Sequence, residues 1–137
     1  MDGKKLEWKK EYSVEVEEID NQHKHLFVIM NELLNLINNN NTKKESGDIV
    51  KSLIEYKIAH FETEEKYFKE FNYDDAEDHI RKHKEFSETL EIIGMKYPKN
   101  SAEYIFSLVD FLEDWLIGHI MVTDHKYIKC FHDHGLK

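Results

Sequence analysis

The apolar positions of this chain recur at intervals of three and four, the spacing that marks one face of an α-helix. Ile19, His23, Phe27, Met30, Leu33, Leu34 and Ile37 form one such stripe, with Asp20 placed to cap its start and the tract Asn38 to Asn41 to end it. A second stripe reads Ile49, Leu53, Tyr56, His60, Glu64, Phe68 and Phe71, and it stops at the turn-like Asn72-Tyr73-Asp74-Asp75. A third runs through His79, His83, Phe86, Leu90 and Ile93 and is closed by Tyr97-Pro98-Lys99-Asn100. The fourth starts from a Ser101 cap and reads Ile105, Leu108, Leu112, Trp115, His119 and Val122. Long helices joined by short loops become antiparallel neighbours, so the predicted fold is all-α: an up-down-up-down antiparallel four-helix bundle. Residues 1–18 follow neither period and read as an N-terminal arm anchored by Trp8. The bundle is expected over 19–127 and a C-terminal tail over 128–137, and the whole length, 1–137, suits a single domain.

All four stripes are interrupted by ionisable residues where a core favours Leu. A buried charge without a partner costs several kcal/mol, and a buried imidazole needs partners for both ring nitrogens. His60 and Glu64 are four apart, as are His79 and His83, so each pair projects from one helix face on successive turns. His23 interrupts the first stripe and His119 the fourth, with Asp124 five residues further on. His23 and the His79/His83 pair fall near helix starts, His60/Glu64 and His119/Asp124 toward helix ends. Alternating helix direction brings these four places to the same end of the bundle. A spacing of five rotates two side chains about 140° apart on a regular α-helix, so a wide, π-type turn or a helix interruption is expected between Gly118 and Asp124, with Gly118 easing it; the alternative is a regular helix from whose edge Asp124 reaches round. Either member of the His79/His83 pair, or a lone His23 or His119, would be unremarkable alone. Seven donors from four segments at one depth are not. His25 is expected on the opposite, solvent-facing side, His132 and His134 in the tail, and Cys130 as a small buried hydrophobe.

The remaining composition narrows the function. Asp and Glu outnumber Lys and Arg by 28 to 19, a net charge of −9, which opposes nucleic acid and anionic membranes. The longest apolar runs, Leu26 to Met30 and Trp115 to Val122, fall short of the roughly 18 residues of a membrane span. The opening MDGKKLEWKKEYS has no apolar signal core, and the single Cys130 has no internal disulfide partner, so a reducing, cytoplasmic setting is expected.

Seven ligands exceed the four of a structural zinc site, and there is no His-Glu-x-x-His segment to suggest a zinc hydrolase. Two metals are the simpler count. Imidazole and carboxylate together suit iron, manganese, zinc or copper. If both carboxylates bridge, the donors and one shared oxo or hydroxo fill all but one of the roughly twelve positions of two octahedral metals. One open position fits the binding of a small exogenous ligand, whereas a dimetal hydrolase or oxidase wants more open positions and a substrate cavity.

These motifs, Asp20-x-Gln22-His23, His60 with Glu64, His79 with His83, and His119 with Asp124, resemble the ligand set of the haemerythrin family in the family's order. Trp8, Ser13-Val14 and Ile19 resemble the bacterial N-terminal arm, and His60-Phe61 with Glu64-Glu65, and Trp115-Leu116 with His119-Ile120, resemble its helix signatures. The resemblance spans residues 8–127. It implies a non-haem di-iron centre bridged by oxo or hydroxo, Glu64 and Asp124, with His79, His83 and His119 on one iron and His23 and His60 on the more open one. It further implies reversible O2 binding rather than enzyme activity, in oxygen carriage, storage or delivery. O2 or redox sensing, or iron handling, is the alternative, and a protein acceptor of O2 is unidentified. Phe61, Trp115, Leu116 and Ile120 beside the ligands are the implied O2 pocket. Glu15 stands where bacterial relatives often carry Gly, and Asp74 where they often carry Pro.

Overall fold

The structure, a computed structural model, describes residues 6–39, 46–98 and 101–137. Residues 1–5 of the expected arm, the expected helix stop at Asn40 and Asn41, and Lys99-Asn100 lie outside these. Four long helices follow the four stripes: α1 (Glu17–Asn38), α2 (Ser46–Glu70), α3 (Ala76–Lys96) and α4 (Ala102–Trp115). From α4 the chain stays in right-handed helical backbone through a π-helical segment, Leu116–Thr123, and a 3₁₀ turn, Asp124–Tyr127, into a short helix α5 (Ile128–Asp133). Both α1 and α3 pack against α2 and α4, which closes the four-helix ring. No strand occurs among the described residues, and no helix among them is long and apolar enough to cross a membrane.

The core is divided in two. The larger part takes Leu26, Ile29, Met30 and Leu33 from α1, Leu53 from α2, Phe86 from α3, and Ile105, Leu108 and Leu112 from α4, all buried. Each such side chain contributes about 1.5–3 kcal/mol by leaving water. The smaller part unites Val14 and Val16 of the arm, Ile19, Phe68, Tyr127 and Phe131. Along α1, Ile19 belongs to the smaller core and Leu26 to the larger, and His23 lies between them. Along α2, Tyr56 and Phe68 bracket His60 and Glu64 in the same way. The ionisable residues therefore form a polar layer sandwiched by hydrocarbon.

Local signals account for most helix ends. Ser101 caps α4 as expected, its hydroxyl accepting the Tyr104 N–H at 3.2 Å. Asp20 does not cap α1. The helix starts three residues earlier, at Glu17, and Asp20 instead accepts the Ser13 hydroxyl at 2.5 Å and the Val14 N–H at 2.8 Å, fastening the arm to the helix. The expected tail also needs correction, because Ile128–Asp133 is helical and Phe131 is fully buried. Besides Tyr127 one turn earlier, its aromatic partners Tyr67 and Phe71 lie at the end of α2 and just past it, distant in sequence, and so short a segment shows no local period. Cys130 is half-buried against the smaller core rather than enclosed.

Candidate metal centre

His23, His60, Glu64, His79, His83, His119 and Asp124 lie together in the polar layer, all buried, with Glu64 and Asp124 fully so. Their ligand atoms fall into two groups, Glu64 with His79, His83 and His119, and His23 with His60, Glu64 and Asp124, each within 4.8 Å of one another. Glu64 Oε1 lies 3.0 Å from His83 Nε2, 3.3 Å from His60 Nε2 and 3.6 Å from His79 Nε2. Asp124 Oδ1 lies 2.9 Å from His119 Nε2 and 3.0 Å from His79 Nε2, and Oδ2 lies 3.1 Å from His23 Nε2. The two carboxylates thus stand between the imidazoles of all four long chain segments.

The wide turn makes this convergence work at the fourth segment. The π-helical stretch Leu116–Thr123 places His119 and Asp124, five residues apart, side by side. A hydrogen bond from the Thr123 hydroxyl to the Gly118 carbonyl, 3.4 Å, spans the same interval. Gly118 itself is not required by the distortion: a Cβ there meets nothing within 4 Å.

The electrostatics are those of a site short of positive charge. Burial pushes the Glu64 carboxyl up and Asp124 adds to it, yet the imidazoles of His60, His79 and His83 around it hold it below the usual carboxylate range. Burial likewise raises Asp124, and His119, His23 and His79 outweigh it and keep it ionised. Burial pulls His60 down to about 4, so that ring is neutral near pH 7. His79 moves the other way: burial lowers it, but Asp124 and Glu64 carry it up to about 9. His119 is lowered, chiefly by burial.

The donor set fits metal ions on two observations. His79 Nε2, His119 Nε2 and both oxygens of Asp124 are buried without a hydrogen-bond partner among the described residues, though both nitrogens lie within 3.0 Å of Asp124 Oδ1 and His23 Nε2 lies 3.1 Å from Oδ2. Imidazole nitrogen and carboxylate oxygen are also the donors that divalent transition metals take together. Leaving such atoms unmatched costs about 1–3 kcal/mol each, a penalty a shared cation removes.

Comparison with known proteins agrees in scope. The family described as "Hemerythrin HHE cation binding domain" matches residues 14–131. The chain belongs to the hemerythrin family. Among relatives, it is 31% identical over 125 residues to a bacteriohemerythrin of Clostridium acetobutylicum, covering 88% of this chain and 97% of that one. It is 29% identical over 120 residues to a hemerythrin-like protein of Naegleria gruberi, covering 88% of each chain, and to myohemerythrin-1 of Phascolopsis gouldii, covering 88% and 89%.

Around the cluster stands a second ring of residues. Phe61 stacks on His83 with centroids 3.8 Å apart, and Trp115 stacks on His119 at the same distance. Leu116 and Ile120 are buried in the larger core with Phe61; of the four side chains expected as an apolar pocket, Phe61 and Trp115 stack on the cluster. His83 Nδ1 lies 2.8 Å from Glu65 Oε2, and His60 Nδ1 2.6 Å from Gln22 Oε1. Gln22 and Glu65 were visible as motif letters, but their contacts were not. Tyr127 was missed as a site residue: its hydroxyl donates to Glu64 Oε2 at 2.6 Å. Burial, then Glu64 and Asp124, keeps that phenol protonated. Of the other histidines, His25 is exposed, His125 belongs to neither group, and His132 donates from Nε2 to the Glu15 carbonyl at 2.7 Å.

Proposed function

We propose that the cluster holds two iron ions and binds O2 reversibly, as a carrier, store or deliverer of oxygen rather than as an enzyme. The observation that carries this reading is the pair of buried donor groups sharing Glu64, within a chain matched to the hemerythrin family over residues 14–131. His79, His83 and His119 would hold one iron, His23 and His60 the other, and Glu64 and Asp124 both. When bound as a ferrous pair, the group supplies two electrons and an open position for O2.

The chain's own residues then have three tasks. The five imidazoles and two carboxylates hold the metals from four segments, so no single helix can move without disturbing the set. Phe61, Trp115, Leu116 and Ile120 line the cluster with hydrocarbon and keep water from the open position. Tyr127 donates its hydroxyl hydrogen to Glu64 Oε2 and fixes the orientation of that carboxylate. O2 is the partner this site is built for; the net charge of −9 argues against nucleic acid.

The test is iron quantification with optical spectra of the reduced protein before and after air. Two irons per chain and an absorption that appears with O2 and disappears on its removal are expected. Irreversible oxidation on the first exposure would move the assignment to an oxidase or iron-handling protein.

A further inference from the structure

One chain of hydrogen bonds ends on a ligand of the cluster, and its direction is fixed at the far end. The Thr63 hydroxyl donates back to the Ala59 carbonyl of its own helix at 2.9 Å. A hydroxyl has one hydrogen, so toward Gln22 only its lone pairs remain. Gln22 Nε2 therefore donates to Thr63 Oγ1 at 3.0 Å, which turns Gln22 Oε1 toward His60 Nδ1, 2.6 Å away. A carboxamide oxygen accepts only, so His60 carries its hydrogen on Nδ1. The other nitrogen, Nε2, keeps its lone pair and points at Glu64 Oε1 and His23 Nε2.

With Gln22 turned over, its amide would donate to Nδ1 and the hydrogen of His60 would sit on Nε2, aimed into the cluster where a cation belongs. Local sterics do not choose between the two orientations of a carboxamide. Glu64 Oε1, 3.3 Å from Nε2, would accept from an Nε2–H, so it is the single hydrogen on Thr63 that holds Gln22, and with it the Nδ1–H form, against that pull. We propose that Thr63, acting through Gln22, sets the tautomer of His60 and so commits its Nε2 to a metal. The consequence for metal binding rests on the di-iron reading; the tautomer itself does not. Thr63 touches no ligand atom and is a positioning residue, partly buried on α2 facing α1. His83 is oriented differently, by the Glu65 carboxylate, which accepts from Nδ1 without needing a second partner to set its direction.

Thr63→Val keeps the shape and removes the hydroxyl, while Thr63→Ser restores it. The ring nitrogens of His60 are read by 15N spectra of histidine-labelled protein without metal. The Nδ1–H form is expected in the parent and in Thr63→Ser, with Nε2–H appearing in Thr63→Val. In anaerobic competition between the protein and a ferrous chelator, Thr63→Val should bind one of its two ferrous ions about 10- to 100-fold more weakly, with Thr63→Ser at the parent affinity. An unchanged tautomer in Thr63→Val, or an unchanged affinity, would overturn the proposal. A parent chain that takes up fewer than two ferrous ions defeats the di-iron reading instead, and the tautomer measured without metal still decides the role of Thr63.

Discussion

Tyr127 and Glu64, 63 positions apart in sequence, meet in a 2.6 Å hydrogen bond at the boundary between the polar layer and the smaller core. The bond joins the turn that follows the π-helical segment to the C-terminal part of α2. Beyond that turn the chain continues as helix, and Tyr127 and Phe131 stack with centroids 4.3 Å apart in the smaller core. Tyr127→Phe leaves Glu64 Oε2 buried and one partner short, a loss of about 1.5–3 kcal/mol for a hydrogen bond to a charged acceptor. Denaturant unfolding of the metal-free variant should show that loss with an unchanged slope; equal stability would mean the bond contributes nothing net.

His60→Ala and His119→Ala each remove one imidazole from a set whose other members are buried. Iron content should fall below two per chain in both, and stability should fall with it, because metal binding free energy is part of the folding free energy at such sites. Elemental analysis after loading checks this. Full iron and an unaltered spectrum in either variant would remove that histidine from the ligand set.

Leu116 is buried one turn before His119 and touches no metal donor through a polar atom. Leu116→Ser should leave iron at two per chain and speed the loss of the oxygenated form to the oxidised one, since a hydroxyl and the space beside it admit water. The rate of that spectral decay is the measurement. An unchanged rate assigns Leu116 to the core alone.

Much of this arrangement was legible because it is periodic. Spacings of four put His60 with Glu64 and His79 with His83 on single faces, and alternating helix direction put them at one end. The spacing of five between His119 and Asp124 announced the wide turn, since a regular helix would have separated them. The features that escaped are those with no local period. Asp20 has the residue type and position of a cap, but its oxygens serve Ser13 and Val14 of the arm, a contact that depends on how the arm folds back. Tyr127 and Phe131 lie on no stripe long enough to read as a helix, and apart from each other their partners are distant in sequence. The hydrogen-bond direction through Gln22 and Thr63 needed atoms, not letters.

The arm holds a strained residue. Glu15 has φ +57°, the left-handed region, where a residue with a Cβ pays about 1–2 kcal/mol. Its N–H donates to Ser13 Oγ and its carbonyl accepts from His132, so the backbone is held there from both sides. Glycine adopts this conformation without that penalty but loses about 0.5–1 kcal/mol more chain entropy on folding. Glu15→Gly should therefore stabilise the protein by several tenths to about 1 kcal/mol. A lower midpoint in denaturant would show that the Glu15 side chain outweighs the strain.

Gly118 leads to the opposite prediction for a glycine. It lies inside the π-helical segment, one residue before His119, and a wide turn invites the view that only glycine fits. The geometry says otherwise: its φ is not left-handed, and an added Cβ meets nothing within 4 Å. What sustains the wide turn is the anchoring of its two ends, His119 against Trp115 and Asp124, and Asp124 among three imidazoles. Gly118→Ala then changes chiefly the unfolded chain and the helix propensity, both in favour of folding, by about 0.4–1 kcal/mol. Iron should stay at two per chain. Thermal or denaturant unfolding gives the sign of the change, and a variant that is less stable or loses iron would show that the turn depends on the freedom of Gly118 after all.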